Sequence, residues 1–397
     1  MGARGWWVAA VVAALGLSAC SGPASSGPKS SLAGGSSATR SAGGDSAPAV
    51  AVKVSPSNGS KNVRPDTPVV VTAEGGTIAT AELVTSAGQR LEGTVEGTSW
   101  RAKDPLKPAT TYRLNVTTRA ESGATSTTRS SFTTLTPRAY NRVTLVPGDD
   151  WTVGVGMPVV VRFAAPVVRR DAAEKALTVT STPSVTGAWR WISATEAQWR
   201  PKNFWPSGAS VKVSAAMGGV ELSNGTWGRR TVTSKFRIGA RQISTVDIAK
   251  HTLTFTRDGK IVKVIPVTTG MTNSKATFPT RGGIKVIMSR EASVKMDAAT
   301  TGTDPTDPNY YNLTVKWGLR LTYSGEFLHA APWSVAQQGR SNVSHGCTGM
   351  SDANAKWMYD RAQIGDVVVY KNSKRPLEWG NGYTAWNKSF DDWSADS

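Results

Sequence analysis

Apolar and polar residues alternate along much of the chain, and this alternation predicts a protein built mainly of short β-strands. In residues 50–136 the alternation is clearest at 68–72, 110–117 and 127–134. Turn-forming residues, such as those at 57–60, separate these segments, as they separate the strands of antiparallel sheets. We therefore predict a first β-sandwich domain in this part of the chain.

Residues 137–239 repeat this pattern. Residues 157–163 are similar to 67–71, and the two units end in similar strands at 131–134 and 234–238. We therefore predict a tandem pair of immunoglobulin-like sandwiches that lack the Cys pair of antibody domains. The second unit is rich in tryptophan, and we expect most of these rings in its core. Contact of an exposed subset with glycan stays open.

Residues 240–372 form a third strand-rich unit that also contains a helical signal. Alternating segments flank the Asp-Gly pair at 258–259, which favours the tight turn of a β-hairpin. Ser351 is a favourable helix N-cap, and residues 352–361 have a helical pattern. We predict a helix there and a final strand at 366–370.

The last segment, residues 373–397, contains Trp379, Trp386 and Trp393 among Gly, Asn and Asp. Three aromatic residues at seven-residue intervals are too few for a coiled coil. We predict an aromatic strap that packs onto another domain. The predicted fold is thus mainly β: two immunoglobulin-like sandwiches, a third β-sandwich domain with one or two helices, and the strap.

The first residues of the chain indicate export. Residues 6–19 are largely apolar, but a bilayer-spanning helix needs about 20 residues, so we predict that 1–19 form a signal peptide. The residues around Cys20 resemble the lipobox of bacterial lipoproteins, which implies lipidation of Cys20 and attachment to the extracytoplasmic face of the cell membrane. An ordinary cleavage site with an incidental cysteine is the alternative. Residues 20–49, rich in Ser, Gly and Ala, are predicted to be a flexible tether.

Charge narrows the range of partners. The chain has 46 Lys and Arg residues against 28 Asp and Glu residues, a formal net charge of +18. These basic residues are scattered and accompany no nucleic-acid-binding motif, so we predict no nucleic-acid partner. Anionic wall polymers and lipid headgroups are the candidate partners, and a solvated surface without a specific partner is the alternative. We predict neither a cofactor nor a metal site.

The segment 344–347, Ser-His-Gly-Cys, carries the clearest chemical signal. Cys20 and Cys347 are the two cysteines of the chain, so lipidation of the first leaves the second as an unpaired thiol. An unpaired thiol beside a histidine and a flexible glycine indicates a nucleophile, and a buried cysteine with a packing role is the alternative. His329, 18 residues earlier, is a second titratable ring.

Residues 327–333 and 341–347 resemble the motifs of the L,D-transpeptidases, whose catalytic domain has the YkuD-type β-fold. The similarity extends through residues 240–372, and the preceding domains are similar to those of membrane-tethered members. The resemblance implies a peptidoglycan L,D-transpeptidase. Cys347 would be acylated at the third residue of a donor tetrapeptide stem with release of D-Ala. Transfer to the side-chain amine of an acceptor diamino acid would then give 3→3 cross-links.

The resemblance also implies inhibition by β-lactams of the carbapenem class. Two other functions stay open at this stage. An L,D-carboxypeptidase would use the same residues and differ only because water takes the acyl group. A non-catalytic wall-binding lipoprotein would explain the β-domains and the charge, but it needs neither Cys347 nor the two histidines.

Roles for individual residues are implied by the same resemblance. His329 matches the catalytic base, which takes the thiol proton and later returns it to the departing amine, and an ion pair with Cys347 would lower the thiol pKa. Ala330 stands where related enzymes often carry Ser, and it serves as well if this position orients the imidazole through its carbonyl. We assign His345 to positioning and oxyanion stabilisation, with the amides of Gly346 and Cys347 as donors. A neutral ring that braces the loop is the alternative for His345.

Weaker matches assign seven further residues to the substrate pocket, each with a packing role as the alternative: Met296, Tyr311, Ser324, Gly325, Trp333, Ser344 and Gly349. Tyr311 matches an aromatic residue that contacts the donor, and Met296 matches a residue of a lid. Gly349 is the clearest departure, because the family usually has Asn or Arg two residues after the cysteine. We expect this departure to affect donor specificity rather than acyl transfer.

Overall fold

The computed structural model describes residues 50–272 and 278–395. The predicted signal peptide, Cys20 and all of the predicted tether lie outside these residues. Within the described ranges, no helix has the length and apolar character needed to cross a membrane.

The first domain consists of two four-stranded sheets, ordered β1-β2-β6-β5 and β4-β3-β7-β8. Its strands are β1 (Ala51–Ser55), β2 (Val70–Glu74), β3 (Gly76–Thr85), β4 (Arg90–Leu91), β5 (Gly93–Glu96), β6 (Ser99–Ala102), β7 (Thr111–Ala120) and β8 (Thr125–Thr133). In β7, Tyr112, Leu114 and Val116 are fully buried and alternate with more exposed residues. The period-two pattern therefore places one face of this strand in the core, as the sequence predicted.

The second domain has sheets ordered β10-β12-β15-β14, β11-β19-β16-β13 and β17-β18-β9. Its elements are β9 (Ala139–Asn141), β10 (Val143–Val146), β11 (Thr152–Val153), β12 (Val159–Phe163), α1 (Arg170–Lys175), β13 (Leu177–Thr182), β14 (Gly187–Ser193), β15 (Glu196–Pro201), β16 (Ser210–Ala216), β17 (Glu221–Ser223), β18 (Thr226–Gly228) and β19 (Thr231–Ile238). Trp205 and Trp227 are buried in this domain, whereas Trp151 is exposed. Packing thus accounts for these two buried tryptophans.

The third domain combines a six-stranded sheet, β22-β21-β20-β28-β23-β29, with a four-stranded sheet, β24-β25-β26-β27. Its elements are β20 (Gln242–Asp247), β21 (Thr252–Arg257), β22 (Lys260–Pro266), β23 (Arg281–Val286), β24 (Ser289–Asp297), β25 (Asn312–Arg320), β26 (Phe327–Ala330), β27 (Thr348–Met350), α2 (Asp352–Arg361), β28 (Val367–Lys371), β29 (Arg375–Pro376) and α3 (Phe390–Ser394). Residues of both sheets and of α2 share one buried apolar cluster. The two sheets therefore enclose a single core.

Local sequence signals located two elements of this domain correctly. Asp258 and Gly259 both have positive φ, at 50° and 80°, as a two-residue hairpin turn requires. The Ser351 hydroxyl accepts a hydrogen bond from the Asn354 amide at 3.3 Å and caps α2. The strand predicted at 366–370 is present as β28, but the short β29 follows it, so β28 is not the last strand.

A continuous apolar core joins the second and third domains. Val159 and Trp205 belong to the same buried cluster as Val286 and Val367 of the third domain. The backbones meet directly, because the Gly154 amide donates to the Ile364 carbonyl at 2.8 Å and the Gly156 amide to the Gly365 carbonyl at 2.9 Å. A Cβ on Gly154 would lie 2.2 Å from the Asp366 nitrogen, so this contact requires glycine.

The C-terminal segment packs onto the second domain, as predicted. Trp393 is fully buried and its indole donates to the Ala188 carbonyl at 2.9 Å. The Trp386 indole donates to the Gly156 carbonyl at 2.8 Å. The Arg200 guanidinium lies over both indole rings, 4.8 Å and 5.2 Å from their centres. Aromatic and cation–π contacts thus hold the strap in place.

Candidate active site

Parallel pairing of two short strands brings the two sequence motifs together. β26 carries His329, and β27 begins directly after Cys347. In the register of this pair, His329 lies opposite Gly349. Because paired strands lie only about 4.8 Å apart, the end of the second motif is placed beside the histidine of the first.

A pocket of about 170 Å³ lies beside these strands. It is lined by eight of the residues predicted for the site: Met296, Tyr311, His329, Trp333, Ser344, His345, Cys347 and Gly349. Ser324 and Gly325 are not among its lining residues; they belong to the turn before β26. A larger cleft of about 620 Å³ lies on the second domain and contains none of the predicted site residues.

The His329 ring is buried and held in one tautomer. Its Nδ1 lies 2.7 Å from the Ala330 carbonyl oxygen, so Nδ1 carries the hydrogen and Nε2 of the neutral ring is left as a proton acceptor. The backbone carbonyl therefore orients the imidazole without a serine side chain at position 330. Burial lowers the pKa of His329 below its usual 6.5, so the ring is neutral at pH 7.

Cys347 is half-buried and held as a neutral thiol. Its Sγ donates to the Gly325 carbonyl at 3.5 Å. Burial raises the pKa of the Cys347 thiol to about 12, although a backbone hydrogen bond from Phe327 opposes this shift. The resting site thus contains a neutral thiol and a neutral imidazole, in contrast to the ion pair considered from the sequence.

His345 lies between two aromatic rings at the pocket wall. Its ring centre is 4.7 Å from that of Phe278 and 5.0 Å from that of Tyr311. Loss of hydration lowers its pKa from 6.5, so this ring is also neutral at pH 7. Among the described residues, no hydrogen bond or ion pair to its side chain is found, and so the geometry favours a role in shaping the pocket.

The Gly346 amide is already occupied, which changes the assignment of the oxyanion donors. It donates to Ser344 Oγ at 3.1 Å, and that hydroxyl donates to the Cys347 carbonyl at 2.6 Å. Thr280 Oγ1 donates to the Gly346 carbonyl at 2.7 Å. The Cys347 amide, which has no hydrogen-bond partner among the described residues, is therefore the available backbone donor. Ser344 braces the loop in this structure.

Comparison with known proteins agrees with this geometry. Residues 241–369 match the family model of the L,D-transpeptidase catalytic domain, and residues 60–221 match that of a bacterial Ig domain. L,D-transpeptidase 2 of Mycobacterium tuberculosis is 37% identical over 341 residues, which cover 85% of this chain and 82% of that protein. The chain belongs to the L,D-transpeptidases. It is an enzyme with a YkuD catalytic domain.

Two further relatives extend the comparison. L,D-transpeptidase 5 of Mycobacterium tuberculosis is 29% identical over 353 residues, 87% of this chain and 76% of that protein. The solved structure of the L,D-transpeptidase LdtMt1 in complex with imipenem has a TM-score of 0.50 and 33% identity to this chain. That match covers 57% of this chain and 97% of the solved chain.

The outer wall of this L,D-transpeptidase pocket comes from β24 and β25. Met296 pairs with Leu313 across these strands, and Tyr311 directly precedes β25. Trp333, on a short 3-10 turn after β26, is 61% exposed, so a bound substrate can cover its ring. Ser324 is tied to the C-terminal segment, because its amide donates to Asn381 Oδ1 at 2.9 Å.

Close packing explains the missing side chain at Gly349. A Cβ there would lie 2.8 Å from the Ala331 Cβ and 3.2 Å from Thr268 Cγ2. The Gly349 amide and carbonyl are both bonded to the Thr268 backbone, at 2.9 Å each. The enzyme therefore has the Ala331 and Thr268 side chains at the place where the family usually carries an Asn or Arg side chain.

Sequence reasoning missed the residues that hold the catalytic loop. Thr268 Oγ1 donates to the Ser341 carbonyl at 2.9 Å and accepts from the Val343 amide at 2.9 Å. Asn342 Oδ1 accepts from the Thr269 amide at 3.0 Å. Asn342 lies inside the second motif, so its polar side chain could have been predicted to hold the loop. Thr268 had no such signal, because its partners are 73 and 75 residues away.

Proposed function

We propose that this enzyme forms 3→3 cross-links in peptidoglycan. In this reaction Cys347 attacks the carbonyl carbon of the third residue in a donor tetrapeptide stem, and D-Ala leaves. The side-chain amine of an acceptor diamino acid then takes the acyl group. The main support is that one pocket contains Cys347 and an imidazole, His329, whose Nε2 is free to accept a proton.

The neutral resting pair favours proton transfer during the attack. As Sγ bonds to the substrate carbon, His329 takes the thiol proton and the carbonyl oxygen becomes an oxyanion. We assign the Cys347 amide as a donor to this oxyanion. When the tetrahedral intermediate collapses, the bond to D-Ala breaks, and the departing amine takes the proton from His329. The products are a thioester on Cys347 and a neutral imidazole.

The second half of the reaction reverses these roles. The acceptor amine attacks the thioester carbon and gives a proton to His329. Collapse then breaks the carbon–sulfur bond, and the thiolate takes the proton back from the imidazolium. The amide cross-link is complete, and both side chains have returned to their resting protonation states.

The walls of the pocket suggest how the donor stem binds. Tyr311, Met296 and the exposed Trp333 provide apolar and aromatic surface around Cys347. We assign these residues to donor contact. With glycine at position 349, we further propose that this enzyme recognises the donor through these pocket walls rather than through a side chain after the nucleophile.

Carbapenems provide a direct test of the nucleophile, because the solved structure of the relative LdtMt1 is a complex with imipenem. We predict that imipenem acylates Cys347 once, since attack by the thiol opens the β-lactam ring and leaves a thioester. Intact-mass measurement after incubation should show one adduct. Cys347→Ala should show none, and an adduct that survives this substitution would contradict the assignment.

We also propose that the enzyme acts at the extracytoplasmic face of the cell membrane, held by lipid on Cys20. The support is the lipobox-like sequence and the Ser- and Gly-rich segment after it. A tether of this kind gives a flexible span that grows with the square root of its length. Cys20→Ala should release the protein from the membrane fraction while its activity on soluble fragments is unchanged; retention in the membrane would refute lipid anchoring.

The decisive experiment is mass spectrometry of products from a purified disaccharide-tetrapeptide. We expect a dimer that has lost one D-Ala, with a 3→3 linkage visible in its fragmentation. Cys347→Ala is the matched control and should leave the substrate unchanged. Formation of tripeptide alone would instead show that water is the acceptor and that the enzyme is an L,D-carboxypeptidase.

A further inference from the structure

A buried cluster of charged side chains lies behind the loop that carries the nucleophile. Lys285 of β23 is fully buried, and its Nζ contacts the Glu326 carboxylate. Arg281 donates to the other carboxylate oxygen through Nη1 at 3.1 Å and through its backbone N–H at 3.0 Å. Lys285 Nζ also lies 3.7 Å from the centre of the Tyr370 ring. Neither Lys285 nor Glu326 lines the substrate pocket.

Fold stability gives little reason for such a pair. Removing two charges from water costs several kcal/mol per ion, and well-packed apolar residues of similar volume often stabilise a protein as well or better. The six-stranded sheet already supplies an apolar neighbour at this position, because Val368, the cross-strand partner of Lys285, is fully buried. A buried ion pair here therefore points to a role in the site.

The position of Glu326 in the chain connects the cluster to the sulfur. Gly325, the preceding residue, accepts the thiol hydrogen bond, and Phe327, the following residue, hydrogen-bonds the sulfur through its backbone. On its other side, Glu326 Oε1 lies 3.8 Å from the point that a Cβ on Gly346 would occupy. Glu326 thus lies between the two residues whose backbone contacts the sulfur, and its carboxylate lies near the nucleophile loop.

We propose that Glu326 and Lys285 are positioning residues for Cys347: the ion pair fixes the backbone that holds the sulfur, and its two charges act with opposite sign on the thiolate. This inference rests on the proposed role of Cys347 as the nucleophile. Glu326 disfavours the thiolate and helps to keep the thiol protonated until substrate binds. Lys285 offsets this effect and holds the carboxylate in place.

Charges around the sulfur have the signs that this role requires. Burial is the largest effect and raises the pKa of Cys347; Glu326 raises it further, whereas Lys285 and Arg320 lower it. The other titratable groups that face the sulfur or the pair come from β23, β26, β28 and the pocket wall: Arg281, Tyr311, His329, His345 and Tyr370. The negative charge of Glu326 therefore disfavours the Cys347 thiolate, and the positive charge of Lys285 favours it.

The test measures the reactivity of the thiol itself. In the full chain carrying Cys20→Ser, Cys347 is the single thiol, and its alkylation by iodoacetamide at pH 8 is followed by mass spectrometry. We expect Glu326→Gln to speed alkylation and Lys285→Met to slow it. Each change should be about threefold to tenfold, because a lower thiol pKa gives more thiolate but a weaker nucleophile.

Two further variants separate charge from structure. The double variant Lys285→Met with Glu326→Leu removes both charges and should alkylate within about twofold of the parent rate. Lys260→Met, at the exposed start of β22, removes a lysine without this partner and should change nothing. A purely structural role would instead move both single variants in the same direction, and that result would overturn the proposal.

The design keeps the outcome decisive. Circular dichroism identifies any variant that fails to fold; if Lys285→Met is one of these, Glu326→Gln, which keeps the shape of the side chain, decides alone. An unchanged alkylation rate in Glu326→Gln would reject the inference. Alkylation does not depend on transpeptidation, so failure to form a carbapenem adduct would contradict the proposed function without altering this measurement.

Discussion

At the residue scale, the site keeps its two reacting groups neutral. The Ala330 carbonyl fixes the His329 tautomer, while burial lowers the pKa of the imidazole and raises that of the Cys347 thiol. Because the backbone carbonyl of residue 330 orients the imidazole, an alanine at this position is sufficient. In the proposed mechanism, His329 is thus unprotonated at neutral pH and Cys347 ionises only as it attacks.

Replacement of the base should reduce turnover without unfolding the domain. We expect His329→Ala to lower the rate of transpeptidation by about two to four orders of magnitude, the usual size of general acid–base catalysis. The measurement is product formation from the disaccharide-tetrapeptide, with circular dichroism as the folding control. His345→Gln is the matched variant, because His345 lines the same pocket; a larger loss in that variant would transfer the role to His345.

The pH dependence of acylation should reflect the neutral pair. Burial lowers the pKa of His329 from 6.5, so half of the rings become protonated only at a pH under that value, and the acylation rate should fall to half only there. Burial raises the pKa of the thiol to about 12. Ionisation of the thiol should therefore not bring the acylation rate to a plateau between about pH 7 and 9. Stopped-flow measurement with imipenem avoids the titration of an acceptor amine. An acid limb above pH 6.5 would contradict the neutral resting state.

At the element scale, the C-terminal strap is held against the second domain. The C-terminal strap contributes little regular structure of its own beyond α3, yet Trp386 and Trp393 each donate to a backbone carbonyl of the second domain. The Arg200 side chain completes the contact by donating to the Ser389 carbonyl at 3.1 Å. The tryptophans of the sequence indicated a strap. The structure shows that Trp386 and Trp393 attach it to the second domain.

Truncation of the buried strap residue should destabilise the protein. Trp393→Ala removes a fully buried indole and should lower the free energy of unfolding by about 3–5 kcal/mol, the usual cost for a buried aromatic side chain. Trp379 is 42% exposed, so Trp379→Ala should cost under about 1 kcal/mol. Urea unfolding followed by tryptophan fluorescence measures both values. Equal losses would show that the strap does not act through burial of Trp393.

At the scale of the whole molecule, the first domain contacts the second and leaves the pocket untouched. Arg64 donates to the Glu221 carboxylate at 2.8 Å, and its guanidinium lies 5.2 Å from the centre of the Trp227 ring. The residues that line the pocket all lie between 268 and 349. A first domain that contacts the second domain in this way, away from the pocket, is what we expect of a spacer.

Deletion of residues 50–136 should therefore spare catalysis on soluble tetrapeptide fragments. Under the proposed membrane anchoring, it should also reduce cross-linking in whole cells, because it shortens the reach of the catalytic domain. Fragment turnover and the muropeptide profile of cells measure the two effects. Arg64→Met serves as a control for the loss of this contact between the domains, because it keeps the first domain and leaves the other partners of Glu221 in place. A deletion that abolished fragment turnover in a folded protein would give the first domain a part in substrate recognition.

Much of the fold could be predicted from the sequence because its signals are local. The turn at Asp258 and Gly259 needs only two residues with positive φ, and the cap at Ser351 needs only one hydroxyl near an amide. Alternation within a strand such as β7 likewise reflects burial of one face of a sheet. The motif around Cys347 was recognisable for the same reason, since its residues are contiguous.

The tertiary structure decided what depends on residues far apart in the chain. Only the fold shows that Ser344 occupies the Gly346 amide while Thr280 holds its carbonyl, which leaves the Cys347 amide as donor. Only the fold brings Lys285 to Glu326, 41 residues later. The physical reason is that a pKa and a hydrogen-bond partner are set by burial and distance, and neither quantity is encoded by a residue and its neighbours alone.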